Sequence, residues 1–233
     1  KMEGAEDGFA TASGMSAVFS SMAAFVNAGD HLVVSRSVFG STHQILTQIL
    51  PRWNVSFTYV DIHKPETWES AIQPNTKMIF VETPSNPLMK ITDLKMISNL
   101  AKEKDLVTLI DNTFASPINQ TPIDFGIDVM IHSATKYLGG HSDICAGAVA
   151  ASEEHIEKIW NVAKNLGGSL SEYTVWLLER SMKSLAIRVN AFNRNAKKIA
   201  KWLDKNSFVN TVYYPGLKSH PSYKLAKSQM KGF

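Results

Sequence analysis

One lysine stands out by its surroundings. Lys136 lies in Asp128-Val129-Met130-Ile131-His132-Ser133-Ala134-Thr135-Lys136-Tyr137-Leu138-Gly139-Gly140-His141-Ser142, just past an apolar run and among small hydroxylated residues. An ordinary lysine, with a pKa near ~10.4, is a free amine in only about one part in 10³ at neutral pH. Shelter from water favours the neutral form, so this placement predicts a desolvated, nucleophilic lysine able to form an imine with a carbonyl compound. Two further groups extend the chemistry. Asp111 follows the apolar run 106–110 and reads either as a turn-forming aspartate or as an acid offered to a ligand. Ser13-Gly14-Met15 opens a helix-like segment, where backbone N–H groups and the helix dipole favour an anion such as phosphate, and Ser133 and Thr135 add hydroxyl donors beside the lysine. Alone, a Ser-Gly helix start is no more than a cap.

These residues need a scaffold that brings them together, and the chain supplies an alternating one. Strands are predicted at 31–35, 55–60, 78–82, 106–110, 128–132 and 146–151, several nearly continuous in apolar residues, as in a parallel sheet covered on both faces. Helices are predicted between them. The first is capped by Ser13, presents Met15, Val18, Phe19, Met22, Phe25 and Val26 on one face and ends at Gly29; others span 41–50, 65–72 and 93–104. The alternation predicts an α/β three-layer domain. Ligands of open parallel sheets bind beyond the carboxyl ends of the strands, where Glu82 to Pro87, Asp111 to Thr113 and Ser133 to Lys136 all fall. A lysine that forms an imine, a carboxylate that keeps a pyridine nitrogen protonated and a phosphate cradle together describe a site for pyridoxal 5′-phosphate (PLP).

The character changes after Ser152. A helix is predicted over 153–165, then a long uninterrupted helical stretch over 171–205, and a strand over 209–214 that would begin a new unit. The predicted division is a cofactor-binding α/β large domain at 1–170, a connecting helix at 171–206 and the start of a C-terminal small domain at 207–233.

With 233 residues, 44% of them hydrophobic and 19% charged, the chain has the make-up of a soluble globular protein. Its 24 basic and 21 acidic residues give no overall attraction to nucleic acid or to an anionic membrane, and no apolar run is long enough to span a bilayer. Lys197, Lys198, Lys201, Lys205, Lys218, Lys224, Lys227 and Lys231 gather near the end and read as a solvated face. The single cysteine, Cys145, excludes an intrachain disulfide, fits a reducing compartment such as the cytoplasm, and reads as a small buried hydrophobe.

The segment from Asp128 to Ser142 resembles the cofactor-attachment signature of the trans-sulfuration family, the PLP enzymes of cysteine and methionine metabolism. The resemblance extends in the family's order to Ala12-Ser13-Gly14-Met15, Ala28-Gly29-Asp30-His31, Glu82-Thr83-Pro84-Ser85-Asn86-Pro87, Asp111-Asn112-Thr113-Phe114, Asp124-Phe125-Gly126 and Tyr214-Pro215-Gly216-Leu217. It implies the large domain of an aspartate-aminotransferase-like, fold type I transferase, with a mostly parallel sheet. It also implies that Lys136 carries the cofactor and moves protons, and that Asp111 binds the pyridine nitrogen. Gly14, Met15, Ser133 and Thr135 would hold the phosphate, with Asn86 and Thr113 lining the ring. Phe39 stands where most members place a tyrosine: stacking survives, but the phenol often assigned to leaving-group chemistry does not. The Phe39-Gly40-Ser41-Thr42 form is similar to the sulfhydrylase branch, and Ser41 stands where methionine γ-lyases usually carry a cysteine. The implied reaction is γ-replacement on O-acylhomoserine by sulfide or cysteine, as in O-succinylhomoserine and O-acetylhomoserine sulfhydrylases or cystathionine γ-synthase, with cystathionine β- or γ-lyase or methionine γ-lyase as the alternative. A homo-oligomer, a dimer of dimers, is implied as well, because members complete each site with a neighbour's residues. Relative to the family, the N-terminal arm and the substrate-carboxylate arginine of the small domain are not found in this sequence. Arg180 and Arg188 match family arginines and are expected to be structural.

Other classes fit less well. Ser133-Ala134-Thr135-Lys136 satisfies Ser-x-x-Lys, but no Ser-Asp-Asn or Lys-Thr-Gly accompanies it. No Gly-x-Gly-x-x-Gly follows a strand, against a nicotinamide dehydrogenase. His31, His43, His63, His132 and His141 match no common zinc spacing and read as core or capping residues. A PLP-binding protein without catalysis is the remaining rival from another class, and retention of both Lys136 and Asp111 argues against it.

Overall fold

The computed structural model describes residues 1–62 and 64–233. Seven strands form one sheet: β1 (Asp7–Thr11), β2 (His31–Ser35), β3 (Ser56–Val60), β4 (Thr76–Glu82), β5 (Val107–Asp111), β6 (Val129–Ser133) and β7 (Gly147–Ala151). Their order is β1-β7-β6-β5-β4-β2-β3. The strands from β3 to β6 run parallel, while β7 lies antiparallel between β6 and β1. The sheet is therefore mostly parallel, as expected.

Side-chain alternation builds a core on each face. Leu32, Val34, Met78, Phe80, Leu109, Val129 and Ile131 pack on one face with Val18 and Met22 of α1 (Gly14–Ala23). Val33, Ile79, Val81, Ile110 and Met130 point the other way, onto Trp68 and onto Leu94 and Ile97. Those partners belong to α3 (Glu66–Ser70) and α4 (Leu94–Glu103), and α2 (Gly40–Gln44) precedes them. Two buried faces explain why these strands are apolar almost throughout. Phe80 is fully buried, and truncating such a residue to alanine costs ~3–5 kcal/mol.

After the short α5 (Ser116–Asn119) come α6 (Glu153–Asn165), α7 (Glu172–Met182), α8 (Leu185–Leu203) and α9 (Tyr223–Gln229). Ser13, Asp93, Ser152 and Ser171 cap α1, α4, α6 and α7 by accepting a backbone N–H three residues on.

The structure corrects several sequence expectations. β1 is an additional strand: Asp and Gly disfavour β structure, and it forms because β7 offers an antiparallel edge. The first helix ends at Ala23 rather than Gly29. Residues 41–50 are helical but irregular. α2 widens into a π-turn at Ile45–Ile49 and tightens into a 3₁₀ turn at Leu50–Trp53, which accommodates the missing N–H and the ring of Pro51. The long stretch 171–205 is two helices broken at Lys183 and Ser184, where the Arg188 guanidinium and the Ser184 hydroxyl both donate to the Ser181 carbonyl. Residues 209–214 form no strand: no ladder partner lies beside them among the described residues, and Tyr214 instead donates its hydroxyl to the Phe233 carbonyl at 3.0 Å. All eight lysines of the C-terminal cluster are exposed, as expected. No helix among the described residues is long and apolar enough to cross a membrane.

Candidate active site

Three parallel strands deliver their ends to one edge. Glu82 pairs with Asp111, and Asp111 with Ile131, so the last residues of β4 and β5 lie level beside the end of β6. β1 runs in the same direction as β6 and hands the chain to Ser13 and α1 at that edge. Gly147 opens β7 opposite both Ser133 and Thr11. The result is a cleft of about 290 Å³ lined by Ser13, Gly14, Met15, Val18, Phe39, Glu82, Pro84, Asn86, Asp111, Thr113, Phe114, Ser133, Thr135, Lys136 and Cys145. Every site residue expected from the sequence lies on this wall.

One end of the cleft is built for an anion. The Gly14 and Met15 N–H groups belong to the first turn of α1, where no intrahelical acceptor reaches them, and no acidic residue lies in that turn. A Cβ on Gly14 would stand 2.8 Å from the Cβ of Ser133, so only glycine allows the helix start and the end of β6 to approach this closely. Thr135 lies at the same end, but its hydroxyl donates to the Ala146 carbonyl at 3.1 Å and accepts the Ala146 N–H at 3.0 Å. Its proton is already engaged in closing the loop before β7.

Two carboxyls occupy the floor. Asp111 accepts the Thr113 N–H at 3.0 Å, and the Thr113 hydroxyl in turn accepts the Ser133 N–H at 2.7 Å, binding the ends of β5 and β6 together. Burial raises the pKa of Asp111, while the Thr113 hydrogen bonds and the nearby His132 oppose the rise. Glu82 is 6% exposed and accepts the N–H groups of Phe39 and Asn86. Burial first, and the charge of Asp111 second, push its carboxyl up to about 8. The sequence reading assigned no role to Glu82; an acidic residue closing a run of β residues beside Asp111 was the signal available.

Lys136 corrects one expectation. It is exposed to the cleft rather than desolvated, because β6 ends at Ser133 and the chain leaves the sheet in a turn through Gly139. That turn is held from outside. Arg188 donates to the carbonyls of Tyr137 at 2.7 Å, Leu138 at 3.2 Å and Ser181 at 2.9 Å, and its guanidinium occupies the place a Cβ on Gly140 would take. The structural role expected of Arg188 is thereby given a target. Beyond Lys136 lies a second cavity, about 530 Å³, which shares Phe114, Thr135 and Lys136 with the first and adds Tyr137, Gly140, Ser142, Ile144 and Phe192.

Cys145 is likewise exposed rather than buried: Ile144 and Ala146 turn into the core and leave the thiol facing the cleft. The histidines behave as core and turn residues. His31 lies between Thr76 and Thr58, His43 stacks on Tyr59, His132 bonds Glu3, and His141 bonds the Gly139 carbonyl; His63 lies outside the described residues. No cluster of three metal-ligating side chains occurs among the described residues.

Comparison with known proteins agrees with this geometry. Residues 1–233 match the model of the family described as Cys/Met metabolism PLP-dependent enzyme. The chain is 45% identical to the cystathionine gamma-lyase of Bacillus subtilis (strain 168), covering 100% of this chain and 62% of that protein. It is 39% identical to the O-succinylhomoserine sulfhydrylase of Pseudomonas aeruginosa, covering 100% of this chain and 58% of that protein. The crystal structure of cystathionine gamma-lyase from Lactobacillus plantarum complexed with L-serine superposes with a TM-score of 0.96 at 43% identity, over 100% of this chain and 61% of that one. The chain thus spans about three fifths of the length of the relatives it matches.

Proposed function

Because this chain belongs to the Cys/Met metabolism family of PLP-dependent enzymes, we propose that it carries the cofactor-binding part of a trans-sulfuration catalyst, with Lys136 and Asp111 as its catalytic residues. The observation that carries the reading is the convergence of Lys136, Asp111 and the Gly14 helix start on one cleft. PLP fits the groups present. Gly14 and Met15, with Ser133 and Thr135 beside them, would hold the phosphate, Asp111 would bind the pyridine nitrogen, and Thr113, Asn86 and Phe39 would line the ring. Bound there, the cofactor supplies an electron sink for carbon atoms of an amino acid. Asp111 would keep the ring nitrogen protonated. The Lys136 Nζ would anchor the cofactor and move protons at the substrate's α and β carbons. The second cavity, on the far side of Lys136, has room for the substrate's side chain.

Two reactions compete for this machinery. Phe39, which has no phenol to protonate a leaving group, favours γ-replacement, in which sulfide or cysteine displaces the acyl group of O-acylhomoserine. The 45% identity to a cystathionine gamma-lyase favours the second reading, β- or γ-elimination from cystathionine. Full-length protein assayed with O-succinylhomoserine plus sulfide against cystathionine alone separates them: consumption of sulfide supports replacement, and release of ammonia and a keto acid from cystathionine supports elimination. Lys136→Ala is expected to abolish the visible absorbance of lysine-bound cofactor; a variant that kept it would overturn the site.

The same reading places residues 1–170 as the cofactor-binding domain, 171–206 as a connection and 207–233 as the approach to a small domain. A cytoplasmic homo-oligomer, a dimer of dimers, belongs to it. Tyr173, Trp176, Ile187 and Trp202 of α7 and α8 are each more than half exposed, an apolar surface suited to burial against further chain. Light scattering on the full-length protein tests the assembly.

A further inference from the structure

We propose that Glu82 is a positioning residue, a single side chain that ties the Phe39 turn to the Asn86 loop and so fixes two parts of the cleft wall that would line the cofactor ring. The proposal rests on the cofactor reading above. Glu82 closes β4, with its Oε2 accepting the Phe39 N–H at 2.6 Å and its Oε1 accepting the Asn86 N–H at 3.0 Å. Both oxygens are therefore committed to loop backbone, and each loop contributes a side chain to the cleft wall. Phe39 is 44% exposed and makes no side-chain cap; its carbonyl accepts the His43 N–H of α2 at 3.0 Å, and its own N–H is held by Glu82.

A structural role alone explains this residue poorly. The neighbouring β4 positions Phe80 and Val81 are buried and apolar, and a carboxyl buried without a cation is costly. The cost is limited because burial and the Asp111 charge let Glu82 hold a proton near neutrality. Glu82 ends β4 level with Asp111 at the end of β5, and a Glu82 carboxyl that holds its proton adds no like charge beside Asp111. A neutral carboxyl still has lone pairs for both amides, so the clamp and the held proton are compatible.

The test uses full-length protein with Glu82→Gln, the neutral isostere, and Glu82→Asp, one methylene shorter. Amide hydrogen exchange is followed first on ligand-free protein, then circular dichroism of the visible cofactor band after PLP is added. The expected result is exchange at Phe39 and Asn86 at least ~10-fold faster, with Leu109 and Ile131 still protected. The dichroism per bound cofactor should fall by more than half while attachment to Lys136 persists, because the ring is held less asymmetrically. If the wild-type protein takes up no PLP, the cofactor reading fails and takes the ring-positioning role with it. If the wild type takes it up and both variants keep wild-type exchange and dichroism, only the Glu82 proposal fails. Loss of protection across the whole sheet in both variants would assign Glu82 to stability alone and overturn the proposal as well.

Discussion

A single carboxyl at the end of β4 gives the ligand-free protein a predictable response to pH. Glu82 ionises in the ordinary carboxylate range when unfolded and near about 8 when folded, so between those limits the folded state holds a proton the unfolded state has released. The stability Glu82 contributes is greatest at the acid end of that window and falls as pH rises through it, by no more than ~1.4 kcal/mol per unit. Urea unfolding of ligand-free protein at pH 5, 6, 7 and 8 should show the decline, and Glu82→Gln should make it shallower, leaving the part that the raised Asp111 contributes; equal slopes in the two proteins would refute the assignment. At the anion end of the cleft, Gly14→Ala places a methyl 2.8 Å from the Ser133 Cβ and forces α1 away from β6. PLP affinity should fall ~10-fold or more in an equilibrium titration, a loss of ~1.4 kcal/mol, with the fold retained. Lys136, Asp111 and Gly14 were legible in the sequence because each stands at a punctuation point, a strand end or helix start, within a recognisable run. Glu82 was not, because its partners are backbone amides brought to it by two separate loops, which residue types do not encode.

Helices and strands were legible where one period dominated. The four inner parallel strands, β2, β4, β5 and β6, alternate between two buried faces, and the capped helices α4 and α6 announce their starts, so their sequences match their structures within a residue or two. The failures have a common physical origin: tertiary partners decided them. β1 needs the edge of β7, residues 209–214 lack any such edge among the described residues, and the break between α7 and α8 is imposed by Arg188. That arginine makes an element-level prediction. It joins α8 to the turn bearing Lys136 through the Tyr137 and Leu138 carbonyls, and its removal leaves these two acceptors without their donor, while the Ser181 carbonyl keeps the Ser184 hydroxyl. Arg188→Ala should cost ~2–3 kcal/mol in urea unfolding, within the range for unsatisfied polar groups. Arg188→Lys should recover less than half of this, because an ammonium is a single point and cannot span the acceptors a planar guanidinium reaches. Full recovery by lysine would show that charge, rather than geometry, holds the turn.

At the scale of the whole molecule, a buried polar chain joins the two ends of the sequence behind the cleft. Glu3 accepts hydrogen bonds from His132 and from the Asn112 amide, which also donates to the Gln120 carbonyl oxygen of the backbone. The Gln120 side chain donates to the Asn112 side-chain oxygen and to the Thr83 carbonyl, and accepts from Gln229 of α9. Gln229 also donates to the Thr92 carbonyl and accepts the Leu94 N–H at the start of α4. Composition and periodicity disclose nothing of this, because each member is an unremarkable polar residue far from the others in sequence. Such a network resists piecemeal change, since removing one member leaves buried groups unpaired in a low-dielectric setting. Gln229→Ala orphans the Gln120 side-chain oxygen, the Thr92 carbonyl and the Leu94 N–H, and should cost ~2–4 kcal/mol, beyond what a lost side-chain contact at the surface would explain. Gln120→Ala should cost a similar amount, and the double variant much less than the sum, because the two share a bond and the second loss finds part of the network already broken. A double-mutant cycle by urea unfolding measures that coupling. Additive losses would mean that α9 and the floor of the cleft are held independently, and that the polar chain is a set of separate bonds rather than one unit.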